Sequence, residues 1–227
     1  MTPDDAPIRF AILGAARIAT KVGKAIQDAN GAELSVIASR ELSKAETWKQ
    51  HHGARLAVEG YEEALRQPDI DAVYIPLPPS LHKEWTIKSA EAGKHVLCEK
   101  PTAMDAHEAR EMLAVCKANG VQFMDGTMWP HTPRSQQMSQ VLNDGTLGEL
   151  RRVVSAFSIQ MPDTPDQHRY IPELGGGALY DIGWYCVRAA LWAFADVPTH
   201  VYASATYHRG VDNNATAILW FSENRVA

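Results

Sequence analysis

The chain has 227 residues, with 22 lysines and arginines against 27 aspartates and glutamates, a net charge of −5 and 45% hydrophobic residues. This length allows one large or two small domains, and the apolar fraction is enough to form a core, which excludes a largely disordered chain. The charge is spread without basic blocks, so neither a nucleic acid nor an anionic membrane surface is expected as a partner.

The three cysteines, Cys98, Cys116 and Cys186, lie far apart without CxxC spacing. They predict neither a disulfide framework nor a metal site. At the N-terminus, the apolar run Ile8–Leu13 is too short for a secretion signal or a membrane span. Together these features predict a reduced, cytoplasmic protein.

From residue 8 to residue 127, short apolar runs alternate with amphipathic stretches, which is the pattern of βαβ units around a parallel sheet. Strands are predicted at Ile8–Leu13, Leu34–Ser39, Arg55–Val58, Ala72–Leu77, His95–Glu99 and Gln122–Gly126. Helices are predicted at Arg17–Asn30, Ser43–His52, Tyr61–Arg66, Leu81–Ala92 and Asp105–Asn119. Ser43 and Ser80 are candidate N-caps, and four glycines should adopt left-handed conformations after helix ends: Gly31, Gly53, Gly93 and Gly120. The first domain, residues 1–126, is therefore predicted to be α/β with a doubly wound parallel sheet.

The pattern changes after Thr127. A Pro-containing turn leads into a helix that ends near Asn143, and a glycine triplet later opens an apolar helix over Ala178–Phe194. Long alternating strands are predicted at Arg151–Gln160, Thr199–Tyr207 and Asn214–Ser222. Alternation over this length indicates an antiparallel sheet with one face toward the core. Residues 127–227 are thus predicted to form an α+β domain whose sheet is incomplete.

The first strand is followed by Gly14-Ala-Ala-Arg-Ile-Ala19, which opens a helix. In this context a dinucleotide pyrophosphate binds the N–H groups at the helix N-terminus, so Gly14, Ala16, Arg17 and Ile18 are candidate cofactor-binding residues. The fingerprint is imperfect, because Ala16 replaces the glycine that lets the backbone approach the phosphates. The alternative is a simple strand–turn–helix in which Gly14 serves only the turn.

The second predicted strand ends in Ser39-Arg40. At this place an acidic residue normally binds the ribose 2′-hydroxyl of NAD, whereas a hydroxyl and a guanidinium can bind the 2′-phosphate of NADP. Ser39 and Arg40 therefore predict NADP(H). Two alternatives stay open: Arg40 is only a solvated surface residue, or the neighbouring Glu41 supports NAD.

Two further strands end in groups suited to a ligand. The run Val73–His82 contains Leu77 and Pro78 at the strand end, and its prolines form a rigid loop at the edge where open α/β sheets bind ligands. His82 contacts ligand or pairs locally. The next strand delivers Glu99 and Lys100 to the same edge, where a partly desolvated lysine is suited to proton handling. The alternative for this pair is a surface salt bridge.

In the second half, Gly175–Gly177 is followed by Asp181 and Tyr185, which are four residues apart and so share one face of the predicted helix. A carboxylate in an apolar helix is unfavourable unless it is paired or functional. We expect the glycines to let backbone approach a ligand. The alternative is that Asp181 bonds the loop Gln167–Glu173 while Tyr185 is a core residue.

Together these motifs resemble the Gfo/Idh/MocA family of NAD(P)-dependent sugar oxidoreductases. The resemblance rests on Gly14–Ala19, Val73–His82, Ala92–Pro101, Met128–Trp129 and Gly175–Tyr185, and it runs from Ile8 to the end of the sequence. It implies a Rossmann domain, then a domain whose large open sheet pairs with another subunit, with the active site between the two domains. Members of the family are longer, which implies that this C-terminal sheet is truncated.

Carried over by position, Lys100 matches the family's catalytic lysine and Asp181 its catalytic-site aspartate, and Trp129 joins the cofactor-binding candidates. A tyrosine at position 185 resembles the subgroup of glucose–fructose oxidoreductase, dimeric dihydrodiol dehydrogenase and NADP-dependent xylose dehydrogenase. Pro79 and the Pro130–Thr132 segment depart from the usual family pattern, which leaves the substrate open.

The resemblance implies an NADP(H)-dependent oxidoreductase that transfers a hydride between the nicotinamide and a hydroxyl-bearing carbon of a sugar, polyol or dihydrodiol. The expected partners are a sugar-like small molecule and further copies of the chain, joined through the C-terminal sheet. The alternative is a catalytically inactive family member that serves as a ligand-binding or structural subunit.

Overall fold

The computed structural model describes residues 6–164 and 167–227. The chain divides into two compact units, Met1–Gly126 and Thr127–Ala227. The strands of the first unit are β1 (Ile8–Leu13), β2 (Ala32–Ser39), β3 (Leu56–Glu59), β4 (Ala72–Ile75), β5 (His95–Cys98) and β6 (Phe123–Asp125). Its α-helices are α1 (Arg17–Asp28), α2 (Leu42–His52), α3 (Tyr61–Arg66), α4 (His82–Glu91) and α5 (Ala106–Ala118).

The six strands form one parallel sheet in the order β3-β2-β1-β4-β5-β6. The strand order reverses between β1 and β4, so the loops that follow these two strands diverge. In doubly wound sheets, this switch point at the carboxyl ends of the strands is where ligands bind. The predicted doubly wound α/β fold is confirmed.

Helices cover both faces of this sheet, so its strands are apolar on both sides. On one face Leu13 and Val73 join a core that includes Met112 of α5. On the other face Ile12 packs into a second core with Trp48 of α2. Because strand side chains alternate in direction, neighbouring residues of β1 stabilise different layers.

Two predicted helix caps are wrong, whereas the four helix-end glycines are confirmed. Glu41 precedes α2, which places Ser43 inside the helix. Ser80 lies in a short 3₁₀ turn, Pro79–Leu81, because a proline with its fixed φ favours the first position of a helical turn. Asp105 is an N-cap and accepts a 2.8 Å hydrogen bond from the Glu108 N–H. The φ angles of Gly31, Gly53, Gly93 and Gly120 lie between 67° and 79°.

The second unit contains α6 (Pro133–Asn143), a π-helical segment (Leu179–Gly183) that continues into α7 (Trp184–Phe194), and the strands β7 (His200–His208) and β8 (Val211–Trp220). The two strands form an antiparallel hairpin, as predicted. A small core joins Phe194 of α7 to Leu219 and Phe221. Several apolar side chains of the hairpin are exposed, among them Val201 by 60% and Tyr207 by 73%.

The third predicted strand, Arg151–Gln160, is wrong. Within the described residues its ladder pairing is a single bridge between Arg152 and Val226, next to a 3.1 Å hydrogen bond from the Val153 N–H to the Val226 carbonyl. A strand needs a neighbouring strand along its length, because each of its N–H and C=O groups needs a partner. Beyond Val153 the described part of the chain supplies no such neighbour, and Val154 is 85% exposed.

Candidate active site

The turn after β1 requires glycine at its first position. Gly14 has φ of +124°, where residues with a side chain are strained, and a Cβ at this position would lie 3.0 Å from Leu77 Cδ2. The Gly14 N–H donates to the Ala38 carbonyl at 2.9 Å. Glycine is therefore needed here both for the turn and for the approach of the loop after β4.

The N-terminus of α1 is suited to an anion. Ala16 is the N-cap residue, and the helix begins at Arg17 and Ile18. Among the described residues no side chain caps this end of α1, and its first turn contains no acidic residue. Helix N–H groups that lack side-chain caps, together with the positive end of the helix dipole, bind phosphate groups.

The end of β2 and the first turn of α2 together carry a hydroxyl and two cations. Ser39 is buried and its Oγ accepts a 3.3 Å hydrogen bond from the Glu41 N–H, whereas Arg40 is exposed. Sequence reasoning missed Lys44, whose Nζ lies 2.6 Å from Glu41 Oε1. The signal was its place four residues after Arg40, in the first turn of α2. Burial raises the pKa of Tyr61, and the charge of nearby Arg40 opposes that rise.

Lys44 also connects this cluster to the turn after β1. It lines a groove of about 410 Å³ together with Ala15 and residues of α2, among them Thr47 and His51. The loop after β1 and the first turns of α2 therefore share one surface, on which the Lys44 ammonium is paired with the Glu41 carboxylate.

His82 holds two loops together at the carboxyl end of the parallel strands. Its ring is 0% exposed; Nδ1 lies 2.9 Å from the Pro101 carbonyl and Nε2 lies 2.8 Å from the Leu77 carbonyl. Burial lowers the pKa of His82, although the two carbonyls oppose this. These contacts correct the expectation that its ring touches a ligand: His82 pairs locally, between the Leu77-Pro78 loop and the loop after β5.

Glu99 is positioned by buried groups. Its Oε1 accepts a 2.6 Å hydrogen bond from the Tyr74 hydroxyl, and its Oε2 accepts one from the Lys100 N–H at 3.1 Å. A Cβ on Gly126 would lie 3.2 Å from Glu99 Oε1, so the glycine leaves space for the carboxylate. Lys100 is half-buried beside it. Sequence reasoning did not assign Tyr74 to the site. The signal that could have identified it is a hydroxyl-bearing residue in an otherwise aliphatic strand.

Asp181 lies in the π-helical segment of the second unit, and Tyr185 in the first turn of α7. Asp181 Oδ2 accepts a 2.5 Å hydrogen bond from Arg169 Nε. Asp181 thus bonds the loop Gln167–Glu173, which is the first part of the alternative given for it, and Arg169 is the residue that sequence reasoning missed. π-helical turns in α-helices are frequent at functional sites.

Two glycines of the triplet make room for other parts of the chain. A Cβ on Gly176 would lie 2.6 Å from the Arg169 carbonyl oxygen, and one on Gly177 would lie within van der Waals overlap of Asp212 Oδ1. Asp212 Oδ2 accepts a 2.7 Å hydrogen bond from the Leu179 N–H. Gly176 and Gly177 thus allow a close approach to Arg169 and Asp212, while an approach of the triplet to ligand stays a prediction.

Aromatic rings surround the remaining candidates. The Tyr185 ring is half-buried and lies 5.6 Å from the ring of Phe157 and 5.3 Å from that of Trp184. Trp129 packs edge-on against Trp192 at 5.2 Å. The structure thus describes Glu99 and Lys100 in the first unit, and Trp129, Asp181 and Tyr185 in the second.

Comparison with known proteins identifies both units. A model described as an oxidoreductase family with an NAD-binding Rossmann fold matches residues 8–127, and a GFO/IDH/MocA C-terminal domain matches residues 135–227. The chain is 40% identical over 185 residues to a dTDP-3,4-didehydro-2,6-dideoxy-alpha-D-glucose 3-reductase of Actinomadura kijaniata, which is 81% of this chain and 55% of that protein. It is 36% identical over 220 residues to D-xylose 1-dehydrogenase (NADP(+)) 2 of Haloferax volcanii, with 96% of this chain and 67% of that protein covered.

Solved structures give the same result. KijD10, a 3-ketoreductase from Actinomadura kijaniata in complex with NADP and TDP-benzene, superposes with a TM-score of 0.89 at 36% identity, covering 97% of this chain and 68% of that one. The same reductase has been solved with a lysine replaced by alanine or glutamate and with a tyrosine replaced by phenylalanine. The aldose-aldose oxidoreductase of Caulobacter crescentus matches with a TM-score of 0.89 at 30% identity, covering 97% of this chain and 69% of that one.

This chain spans 66%, 55% and 67% of the length of three curated relatives that it matches. In the part of the chain that the structure describes, no helix has the length and apolar character needed to cross a membrane. The parallel sheet, the glycine turn and both family matches agree with the resemblance found in the sequence. The chain belongs to the GFO/IDH/MocA family of oxidoreductases.

Proposed function

We propose that this protein is an NADP(H)-dependent oxidoreductase acting on a CH–OH group of a sugar or a related polyol or dihydrodiol. The observation that carries the proposal is the edge of the parallel sheet that gathers Gly14, Arg40 and Lys100 at the ends of three strands. Relatives named as an NADP-dependent xylose dehydrogenase and a dihydrodiol dehydrogenase support the substrate class.

The residues present fit NADP. The uncapped N-terminus of α1 would bind the pyrophosphate, and Gly14 leaves the backbone accessible beside it. Arg40 and Lys44 would bind the 2′-phosphate, with Ser39 as a hydroxyl donor. Charge-assisted bonds from arginine to phosphate are among the strongest hydrogen bonds in proteins. Leu77 and Pro78, with Glu99 and Trp129, complete the set that we assign to the cofactor.

When bound, NADP⁺ supplies the hydride acceptor, which is C4 of the nicotinamide. The chain must then position the carbon that loses hydride and remove the proton of its hydroxyl group. We assign the proton transfer to Tyr185 and assign to Lys100 the positive charge that assists it. We assign to Asp181 the orientation of a substrate hydroxyl, because an ionised carboxylate accepts hydrogen bonds and donates none.

The two units then have different roles. Residues 1–126 would bind the dinucleotide, and residues 127–227 would bind substrate and join subunits. The exposed apolar side chains of β7 and β8 support a homo-oligomer, because contiguous apolar surface usually marks an association site. The three free cysteines support a reducing, cytoplasmic location.

A thermal-shift comparison tests the cofactor proposal. A ligand that binds only the folded state stabilises it by about 2.7 kcal/mol at a hundred times its Kd. NADPH should raise the melting temperature clearly more than NADH does at equal concentration. An equal rise with NADH would remove the NADP assignment, and no rise with either nucleotide would remove the dinucleotide site.

A further inference from the structure

We propose that Arg169 is a positioning residue for Asp181, an inference that rests on the proposed function. Arg169 contacts residues 177–181, the Asp181 segment, at two places. Its carbonyl accepts a 3.0 Å hydrogen bond from the Gly177 N–H, and its Nε donates to Asp181 Oδ2 at 2.5 Å. The two contacts are four residues apart, about one helical turn, so one residue sets both the start of the segment and the place of the carboxylate.

The close approach of Arg169 to the Asp181 segment depends on a glycine, Gly176. A Cβ on Gly176 would lie 2.6 Å from the Arg169 carbonyl oxygen and 2.8 Å from that of Ile171, distances that no side chain tolerates. On the other side of the segment, Asp212 accepts the Leu179 N–H. The Asp181 segment is therefore held from two sides, by the loop at Arg169 and by β8 at Asp212.

The chemistry of this pair favours positioning over stability. The side chains of Arg169 and Asp181 are 34% and 18% exposed, and partly exposed ion pairs contribute little to folding stability. A guanidinium nevertheless fixes the orientation of the carboxylate it contacts. An acceptor displaced by about 1 Å can reduce turnover by about a hundredfold. Loss of the Arg169 side chain should therefore slow turnover far more than it lowers the melting temperature.

A double-mutant cycle tests this. Arg169→Met, Asp181→Asn and the double variant are compared by NADP⁺ reduction with an aldose panel that includes D-xylose, and by NADPH affinity. We expect each single change to lower kcat by about 10- to 100-fold with NADPH affinity unchanged. The double variant should be no slower than Asp181→Asn, because Arg169 acts through Asp181. Arg169→Lys should recover part of the loss.

Arg209→Met is the matched control. Arg209 Nη1 pairs with Asp163 Oδ1 at 2.8 Å in the same unit, and its side chain is 35% exposed. It should lose as little thermal stability as Arg169→Met while kcat stays at the wild-type value. If Arg169→Met does not fold, the same cycle is run with Arg169→Lys.

If the kcat losses of the two single variants multiply in the double variant, the inference is overturned while the proposed function stands. A wild-type kcat in Arg169→Met has the same consequence. Wild-type turnover in Asp181→Asn would overturn both the role of Asp181 and this inference. A crystal structure of Arg169→Met gives a result that does not depend on turnover. A displaced Asp181 carboxylate supports the inference, and an unmoved one overturns it.

Discussion

The Tyr74 hydroxyl donates a 2.6 Å hydrogen bond to Glu99 Oε1 from a side chain that is 0% exposed. The bond links the middle of the sheet to the strand end that carries Lys100. Burial, followed by the neighbouring Glu99 charge, raises the pKa of Tyr74 far above its usual value near 10. A buried neutral phenol thus holds the carboxylate that precedes the proposed catalytic lysine.

This bond predicts a pH dependence of stability. In the unfolded chain Tyr74 loses its proton above about pH 10, whereas in the folded protein it keeps it. Its contribution to stability is therefore complete below pH 10 and falls by about 1.4 kcal/mol per pH unit above it. Tyr74→Phe should cost about 1 to 3 kcal/mol at pH 7, and that difference should shrink above pH 10. Urea unfolding at several pH values measures it. A difference that stays constant up to pH 11 would contradict it.

Arg40 should determine the choice of cofactor. Loss of a charge-assisted contact to phosphate costs about 1.5 to 3 kcal/mol, so Arg40→Ala should weaken NADPH binding about 10- to 100-fold and NADH binding much less. Lys44→Ala should act in the same direction. Arg66→Ala, which removes an exposed arginine paired with Glu63, is the control and should change neither affinity. Calorimetric titration measures all three; equal losses for both nucleotides in Arg40→Ala would contradict the assignment.

Variants of Tyr185 and Lys100 should lower turnover. Tyr185→Phe removes one hydroxyl and should lower kcat about 100- to 10,000-fold with NADPH affinity nearly unchanged. Lys100→Met should lower kcat at least as much. Tyr202→Phe removes a hydroxyl from the exposed β7 strand and should leave kcat unchanged. Near-wild-type turnover in Tyr185→Phe together with inactive Lys100→Met would instead identify the lysine as the proton carrier.

Two glycines should respond differently to the same substitution. Gly31→Ala introduces a Cβ with nothing within 4 Å, so only its φ of +79° opposes it, at about 1 to 2 kcal/mol. Gly177→Ala adds a clash with the Asp212 carboxylate to a φ of +123° and should cost at least about 3 kcal/mol. Thermal unfolding of both variants checks the order. Equal costs would show that Asp212 moves aside freely.

Much of the first unit could be predicted because its signals are local. Buried strands are unbroken apolar runs, and β1 has the predicted bounds, Ile8–Leu13. The strand predicted over Ala72–Leu77 ends earlier, at Ile75, because Pro76 has no N–H to continue the ladder. The turn at Gly14 and the cation Arg40 after β2 could also be predicted, since each follows a strand directly, whereas Lys44 lies inside α2 and was missed.

The contacts that position the candidate residues could not be predicted, because they join distant parts of the chain. Arg169 lies 12 residues before Asp181, and Asp212 lies 33 residues after Leu179. No periodicity links such pairs. The alternation over Arg151–Gln160 was misleading for the related reason that a strand depends on a neighbour, which local sequence does not reveal.

The most direct test of the proposed oxidoreductase is NADP⁺ reduction by the purified chain with a panel of aldoses, polyols and dihydrodiols, followed by the absorbance of NADPH. We predict that at least one substrate reduces NADP⁺ faster than NAD⁺ and that Lys100→Met abolishes this activity. NADPH binding without turnover of any substrate in the panel would contradict the proposal and favour a ligand-binding member of the family.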